Sequence, residues 1–391
     1  MKKIAFVNQR YGLEVNGGSE YYTRLIAEHL TSCYEVHVIT TKALDYMTWK
    51  DYYTESEEVI HDVYVHRFPV DHPRNQSTFD EINAKMLTST EHTIEDEKRW
   101  VEEQGPVSSK LVQYIVENKD NFELFFFVTY LYYTTSVGLP GVAEKAVLIP
   151  TAHDEPYIHF SMFKDIFSAP KGFVFLTNEE QNLVHHLFEN ENILYDTMAV
   201  GIDVPEHIDA QKFIKKIKCD NYIIYVGRID EGKGCHWMFR YFKEYKRRNN
   251  SSLKLVLMGK SVISVPDDPD IINMGFVSEE DKYNGIAGAT ALILPSKYES
   301  LSISALEALS IKTPVIMNGE CEVLKGHCIK SNAGLYYKGY FEFEACLQYM
   351  EKHPDVWKCM GENGKRYVDS CYKWDVIISK FDQMINEILG E

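Results

Sequence analysis

The sequence predicts an α/β protein made of two doubly wound domains, each with a mostly parallel sheet. A chain of 391 residues is longer than one ordinary hydrophobic core, which indicates two to three domains. Short apolar segments alternate with amphipathic segments along nearly the whole chain, a pattern typical of parallel strands covered by helices on both faces. The alternation is interrupted by Gly and Pro residues near 199–205 and resumes at Tyr222, so we expect a domain boundary there.

The first domain is predicted over residues 1–204. Its strands are short segments rich in Val, Ile, Leu and Phe, which favour buried strands. A helix is predicted over 19–30, after a glycine pair, and the charged segment 79–103 is predicted to be a solvent-facing helical insertion. Strands are expected at 3–8, 35–40, 63–69, 124–130, 146–152 and 173–177.

The second domain is predicted over residues 205–370, by the same alternation. Residues 371–391 contain a final helix, expected at 374–389, whose apolar residues recur at helical spacing. We expect that apolar face to pack back onto the first domain. In the second domain, strands are expected at 222–226, 253–258, 271–276, 291–295 and 314–318, with helices at 234–248, 278–287 and 304–310.

Charge and cysteine content exclude several classes of protein. The formal net charge of -17 argues against a nucleic-acid-binding protein and against attachment to anionic lipid through a basic surface. Residues 1–204 carry 16 Lys and Arg against 32 Asp and Glu, so the first domain is the more acidic. Eight cysteines without a C-x-x-C pair, and no apolar signal segment, indicate reduced thiols in the cytoplasm. No apolar segment approaches the roughly 20 residues of a transmembrane helix.

Two glycine-containing loops are candidate phosphate sites. The first spans residues 16–20, where Gly17 and Gly18 precede a helix whose N-terminal N–H groups attract oxyanions. Taken alone, this glycine pair is better explained by an ordinary tight turn. The second spans residues 227–234 and supplies Arg228 and Lys233, cations suited to a diphosphate that leaves with growing negative charge. Two solvated cations in a loop remain the alternative.

A third loop supplies carboxylates that could bind a sugar. Glu299 follows an apolar strand, and Glu307 lies eight residues later, one turn into the next helix. Carboxylates at this spacing do not share a helix face, but they could bracket one ligand and accept hydrogen bonds from its hydroxyl groups. Capping or solvation of each glutamate is the alternative interpretation.

A histidine after a first-domain strand is a candidate acid, base or hydrogen-bond donor. His153 lies within the segment 151–156, and the adjacent Asp154 could orient its ring. The same residues could be metal ligands, as could the acidic loop residues Asp267, Asp268 and Asp270. Acidic clusters in loops are usually only solvated, so a metal site is not expected.

Taken together, these motifs resemble the retaining glycosyltransferases of family 4, among the glycosyl transferases group 1. The resemblance rests on the glycine pair at 17–18, the His-Asp pair at 153–154, the G-R-x-x-E-x-K loop at 227–233 and the E-x7-E loop at 299–307. It implies a GT-B fold, in which two Rossmann-like domains face a central cleft. The first domain would bind the acceptor, and the second would bind a nucleotide-sugar donor.

The resemblance also implies individual roles. Arg228 and Lys233 would hold the donor diphosphate, and Glu307 would bind the ribose. Glu299 would contact the transferred sugar, with His153 on the opposite side. The implied catalytic residues are His153 and Glu299, and the implied donor-binding residues are Gly17, Gly18, Gly227, Arg228, Lys233, Val277, Glu299, Ser300, Leu301, Ser302 and Glu307.

The expected activity is transfer of a sugar, with retention, from a nucleotide-diphosphate sugar to a hydroxyl group of a sugar, glycan or other acceptor. A UDP-sugar is the favoured donor, and the resemblance implies that no metal or other cofactor is needed. Many family members have E-G-F-G-L-P in the E-x7-E loop, whereas this chain has Ser300, Ser302 and Ser304. The insertion at about 47–106 has no assigned role. Alternative functions are an epimerase or phosphorylase on the same fold, a non-catalytic nucleotide-sugar-binding module, and a metal-dependent transferase.

Overall fold

The computed structural model describes residues 1–15, 17–88 and 92–391, and these form two units. Unit 1 contains residues 1–200 and 374–391, and unit 2 contains residues 201–373. The sequence predicts boundaries after residues 204 and 370. Residue 16 and residues 89–91, which belong to the predicted glycine loop and the predicted helical insertion, lie outside the described residues.

Unit 1 is built on an eight-stranded sheet with the strand order β3-β4-β2-β1-β5-β6-β7-β8. Every neighbouring pair is parallel except β3 and β4, which are antiparallel. Apart from Lys3 at the start of β1, the central strands β1, β5 and β6 are buried, because helices cover both faces of a doubly wound sheet. The strands are β1 (Lys3–Val7), β2 (Glu35–Thr41), β3 (Glu57–Ile60), β4 (Val63–Phe68), β5 (Leu124–Val128), β6 (Ala146–Ile149), β7 (Gly172–Phe175) and β8 (Leu194–Thr197).

The helices of unit 1 include two where a single helical insertion is predicted at 79–103. Thr93 begins the second of them with a capping box, in which its side chain accepts from the Asp96 N–H and Asp96 accepts from the Thr93 N–H. Trp100 is only 1% exposed, so this segment is not purely solvent-facing as predicted. The helices are α1 (Gly18–Leu30), α2 (Gln76–Thr88), α3 (Ile94–Gln104), α4 (Ser109–Glu117), α5 (Tyr133–Ser136), α6 (Phe163–Ser168) and α7 (Asn178–Phe188), with 3-10 helices at Lys119–Asn121, Leu139–Lys145 and Pro156–His159.

Unit 2 contains an all-parallel six-stranded sheet with the order β11-β10-β9-β12-β13-β14. Its strands are β9 (Tyr222–Val226), β10 (Lys254–Met258), β11 (Ile271–Asn273), β12 (Ala291–Leu294), β13 (Val315–Asn318) and β14 (Gly334–Tyr337). Its helices are α8 (Ala210–Ile217), α9 (Cys235–Arg248), α10 (Glu279–Gly288), α11 (Ile303–Ser310), α12 (Glu322–Ser331), α13 (Tyr340–Lys352) and α14 (Pro354–Cys371). The predicted fold class, two doubly wound parallel-sheet domains, is confirmed.

The last helix, α15 (Trp374–Leu389), packs within unit 1. The Phe381 ring centroid lies 5.9 Å from that of Phe126 on β5, and the Tyr34 hydroxyl donates to Asp382 at 2.6 Å. Unit 1 is therefore assembled from two separate segments of the chain. In the described part of the chain, no helix is both long and apolar enough to span a bilayer.

Candidate donor site

The site in unit 2 begins with two glycines at the ends of adjacent strands. Gly227 follows β9 with φ +153°, and Gly259 follows β10 with φ +145°. A Cβ atom on Gly259 would lie 1.9 Å from the carbonyl oxygen of Gly227, so a side chain cannot be placed there. Both glycines lie at the carboxyl edge of the parallel sheet, where ligands bind in this type of fold.

The predicted cation Arg228 is paired with a carboxylate of its own loop. Its guanidinium donates to Asp230, and the second Asp230 oxygen accepts the Lys233 N–H at 2.7 Å. The buried Tyr225 donates its hydroxyl to the Arg228 carbonyl at 2.7 Å. Asp230 was not predicted as a site residue, although its position two residues before Gly232 is typical of a turn. Asp230 thus shapes the loop and orients Arg228.

The second predicted cation, Lys233, contacts the predicted sugar-binding carboxylate. Lys233 Nζ lies 2.6 Å from Glu299 Oε1. Gly234 has φ +73°, and a Cβ there would lie 2.6 Å from the Pro295 carbonyl oxygen, so the two loops pack backbone to backbone. The fold therefore brings together the 227–234 and 295–302 loops, which the sequence separates by about 60 residues.

A buried histidine, which was not among the predicted site residues, holds the backbone of the loop from Glu299 to Ser302. Ser302 precedes α11 in a left-handed conformation, φ +67°. The Leu301 carbonyl accepts a hydrogen bond from Nε2 of the fully buried His327 at 2.8 Å. His327 Nδ1 lies 3.2 Å from the Tyr367 hydroxyl. Ser300 is partly buried beside them.

Glu307 is buried in the structure and paired with a lysine. The residue is 5% exposed, and its Oε1 lies 2.8 Å from Lys282 Nζ. Burial raises the pKa of Glu307, and the charge of Lys282 opposes that shift. Lys282 also contacts Glu279 at 2.7 Å. A ribose hydroxyl that binds Glu307 must therefore share it with Lys282, a residue the sequence analysis did not single out.

Val277 belongs to a turn at the same edge of the sheet. Gly275 has φ +65°, and its carbonyl accepts the Gly259 N–H at 2.8 Å. This turn therefore lies beside Gly227 and Gly259. Val277 is partly buried, whereas Phe276 is 73% exposed. The predicted donor residues of unit 2 thus lie in loops at the carboxyl edge of one sheet, except Glu307, which lies in the helix α11.

In unit 1, the predicted glycine pair begins α1. A Cβ on Gly17 would lie 2.1 Å from Glu20 Oε2, whereas a Cβ on Gly18 would meet no atom within 4 Å. Glu20 accepts from Arg10 Nε at 2.8 Å, and both side chains are buried. Burial opposes ionisation of Glu20, but the Arg10 guanidinium lowers the pKa of that carboxyl below its usual value. Gly17 therefore leaves room for a buried ion pair, and only Gly18 leaves open space for a ligand.

His153 follows β6 at the carboxyl edge of the unit 1 sheet. Its Nδ1 lies 3.2 Å from the Thr151 carbonyl oxygen, and its Nε2 lies 3.5 Å from Glu155 Oε2. The expectation that Asp154 orients His153 is not met, because Asp154 contacts His159 Nε2 at 3.0 Å instead. The Glu155 N–H donates to the His153 carbonyl at 2.7 Å, and this tight turn at Asp154 brings Glu155 back beside His153.

The loop that carries His153 is held by a buried carboxylate, Glu180. It accepts the Ala152 N–H at 2.5 Å and the Leu176 N–H at 2.6 Å. Burial raises the pKa of Glu180 to about 8, against the lowering effect of those two N–H groups. The only sequence signal for this residue is its place in the first turn of a helix capped by Thr177.

No group of three or more His, Cys, Asp or Glu side chains in residues 1–15, 17–88 and 92–391 is placed to hold a metal ion. Asp268 accepts the Asp270 N–H at 3.0 Å, and Asp270 pairs with Lys246 at 3.1 Å. These residues precede β11, at the edge of the sheet opposite the donor loops. Their contacts are those of a turn.

Comparison with known proteins confirms the predicted resemblance to the glycosyl transferases group 1. Residues 207–366 match the family model described as glycosyl transferases group 1. The capsular polysaccharide biosynthesis glycosyltransferase CapM of Staphylococcus aureus is 23% identical over 191 residues, which cover 45% of this chain and 49% of CapM. An uncharacterized glycosyltransferase of Methanocaldococcus jannaschii is 25% identical over 136 residues, 32% of this chain and 35% of that protein. The matches thus span about half of one relative and a third of the other.

Solved structures show the same fold over the whole chain. Sucrose-phosphate synthase from Thermosynechococcus elongatus superposes with a TM-score of 0.74 at 15% identity, and the match covers all of both chains. HepE from Anabaena, in complex with UDP and glucose, superposes with a TM-score of 0.70 at 13% identity over 99% of this chain and 100% of HepE. The fold is therefore of the GT-B type, and the segment that matches the group 1 glycosyl transferase model lies in unit 2.

Proposed function

We propose that this protein is a retaining glycosyltransferase that transfers a hexosyl group from a UDP-sugar to a hydroxyl group of a sugar or glycan acceptor in polysaccharide synthesis. The observation that carries this proposal is the convergence of Arg228, Lys233 and Glu299 at one sheet edge. The matched family model supports the transferase class, the similarity to CapM supports polysaccharide synthesis, and the HepE complexes with UDP and UDP-glucose support the donor.

In the proposed reaction, the acceptor oxygen forms a bond to the anomeric carbon as the bond from that carbon to the diphosphate breaks. Arg228 and Lys233 stabilise the negative charge that grows on the diphosphate, so no metal ion is required. The departing phosphate takes the acceptor proton, on the same face of the sugar, which accounts for retention. Glu299 orients the sugar hydroxyls, Glu307 binds the ribose, and His153 of unit 1 donates to the transferred sugar.

Remaining donor contacts belong to the same proposal. Gly227, Val277 and the 300–302 backbone line the nucleotide, and Gly17 and Gly18 line the phosphate and acceptor side. A cytoplasmic location fits the eight cysteines, all of which are free thiols. Hexosyl specificity, retention and the absence of a metal requirement follow from the resemblance and are tested below.

The first test measures nucleotide binding by isothermal titration calorimetry with UDP, GDP and ADP. Arg228→Ala and Lys233→Ala should each weaken binding of the preferred nucleotide about ten- to a hundredfold, because each loses a charge-assisted hydrogen bond of about 1.5–3 kcal/mol. Lys297→Ala is the matched control, since Lys297 lies in the neighbouring loop and pairs with the exposed Glu320. Full affinity in both alanine variants would place the donor elsewhere.

The second test identifies the reaction. A UDP-sugar is incubated with and without a saccharide mixture, in the presence and absence of EDTA, and the anomeric configuration of the product is read by NMR. Acceptor-dependent transfer with retention and no effect of EDTA is expected. A change of the donor sugar without acceptor would indicate an epimerase, loss of activity with EDTA would indicate a metal-dependent transferase, and binding without turnover would indicate a binding module.

A further inference from the structure

Among the buried and partly buried arginines that the structure describes in unit 1, one lacks an ion pair with a carboxylate. Three of its buried or partly buried arginines each form an ion pair with a glutamate, as expected where carboxylates are abundant. Arg74 is also partly buried, but within the described ranges 1–15, 17–88 and 92–391 no carboxylate lies within ion-pair distance of it. The paired residues are Arg10 with Glu20, Arg24 with Glu28, and Arg67 with Glu58.

The guanidinium of Arg74 is held in place although its charge is not neutralised. Nε donates to the Gln104 carbonyl at 3.2 Å, and Nη2 donates to the same carbonyl and to the Gln104 side-chain oxygen, the latter at 3.1 Å. The guanidinium carbon lies 5.2 Å from the ring centroid of Trp49 and 4.7 Å from that of Phe79. Burial lowers the pKa of Arg74, which is the expected response of a desolvated cation that lacks a contacting anion.

Arg74 belongs to a cluster at the carboxyl edge of the sheet. The strands β4, β2, β1 and β5 are adjacent, and the segments after them supply, in that order, Arg74, Tyr46 with Trp49, Arg10, and Tyr132. The Arg10 guanidinium lies 5.6 Å from the Tyr46 ring, and the Trp49 and Tyr132 centroids are 5.7 Å apart. This edge is where doubly wound sheets bind ligands, and the tyrosines supply apolar ring faces with polar ends.

We infer that this edge of unit 1 binds the acceptor, and that the acceptor is a saccharide bearing one oxyanion group, a carboxylate or a phosphate, which pairs with Arg74. This assignment rests on the proposed transferase function. The Nη1 group of Arg74, which makes none of the hydrogen bonds named above, can donate to either oxyanion, and the ring faces match the C–H face of a sugar. Asp45 and Asp80 lie within electrostatic range of Arg74, which favours a single oxyanion over a polyanion.

The test compares matched saccharides by saturation-transfer NMR on the full chain, with UDP present and at constant ionic strength. The probes are methyl glucoside, methyl glucuronide and glucose 6-phosphate. The wild-type protein is expected to bind at least one acidic probe at least tenfold more tightly than methyl glucoside. Arg74→Met should remove that preference. Arg74→Lys, which keeps the positive charge but not the planar guanidinium, should retain part of it.

Arg99→Met is the control, because Arg99 lies with Arg74 in the insertion at about 47–106, is exposed and forms no ion pair in the part of the chain that the structure describes. It should bind all three probes as the wild type does. Equal affinity of the wild type for acidic and neutral probes, or no detectable binding of any, would overturn the inference; so would an equal loss for acidic and neutral probes in the folded Arg74→Lys variant. UDP affinity, measured in parallel, reports on the proposed function separately, since Arg74 is in unit 1.

Discussion

Lys233 and Glu299 form an ion pair, with 2.6 Å between Nζ and Oε1, in the loops that are proposed to bind the donor. The lysine side chain is 33% exposed and the glutamate 13%. In the proposed complex, the donor diphosphate competes with Glu299 for the ammonium group of Lys233. Donor binding would then separate this ion pair or add the diphosphate to it. Arg228 likewise forms an ion pair with Asp230, so the diphosphate would compete with that carboxylate as well.

The first prediction concerns Glu299→Gln. Removing the competing carboxylate should strengthen UDP binding about two- to fivefold, because a partly exposed ion pair contributes about 0.5–1 kcal/mol. The turnover of the UDP-sugar should fall at least tenfold, since the sugar loses a charged acceptor. Calorimetry and initial rates measure the two effects. Glu320→Gln, which frees Lys297 in the same way, should change neither, and weaker UDP binding in Glu299→Gln would contradict the competition.

The second prediction concerns His327, which supports the Leu301 carbonyl. His327→Ala should lower the free energy of unfolding by about 2–4 kcal/mol, because it leaves a cavity and an unpaired buried carbonyl. Tyr367→Phe, which removes a hydroxyl that contacts both His327 and the Tyr372 hydroxyl, should cost about 1 kcal/mol and raise the KM for the UDP-sugar two- to fivefold with little change in kcat. Tyr349→Phe, on an exposed ring, is the control. A stability loss with an unchanged KM in both variants would assign His327 a purely structural role.

The third prediction concerns the left-handed Ser302. A non-glycine residue in this conformation costs about 1–2 kcal/mol, and glycine costs about 0.5–1 kcal/mol in chain entropy. Ser302→Gly should therefore raise the free energy of unfolding by about 0.5–1 kcal/mol, and Ser302→Val should lower it by more than about 1 kcal/mol. Urea unfolding measures both. Ser304→Gly, inside α11, should be destabilising, and the same sign for both glycine variants would refute the assignment.

The fourth prediction concerns the pH dependence caused by Glu180. Its native pKa of about 8 lies above the ordinary value of 4.5, so the native state binds more protons than the unfolded state between these pH values. Stability should therefore fall as the pH rises from about 5 to about 8, by up to about 1.4 kcal/mol per pH unit. Glu180→Gln, neutral throughout, should give a flatter profile in urea unfolding. Glu179→Gln, on the same helical turn but only partly buried, should keep the wild-type slope.

The fold was predictable where burial dominates the sequence. The β5 segment is entirely apolar and buried, and the predicted strand at 124–130 covers it. The missed strands β3, β8 and β14 are edge strands, and partly exposed four-residue segments such as Glu57–Ile60 carry no apolar pattern. The helical insertion was predicted as one element because its break falls beside Thr93, a cap signal that the charged flanking sequence hides.

A residue of the candidate site was predictable only where the sequence immediately around it carries a signal. Arg228, Lys233 and Glu299 lie in loops that leave strands, which is a local signal. Lys282 and His327 contact the site from 25 and 26 residues away, and each is a single polar residue on a helix, a pattern that usually means solvent. Sequence spacing also cannot distinguish Asp154 from Glu155 as the neighbour of His153, because only the backbone conformation decides it.

The return of α15 to unit 1 has a consequence for biosynthesis. Domains usually fold as they are translated, the N-terminal one first. Here the ribosome must make all of unit 2 before it makes the helix that covers Phe126 of the first sheet. Unit 1 therefore lacks α15 until the end of translation. Unit 2, whose synthesis begins later, is the first of the two units for which all residues are available for folding.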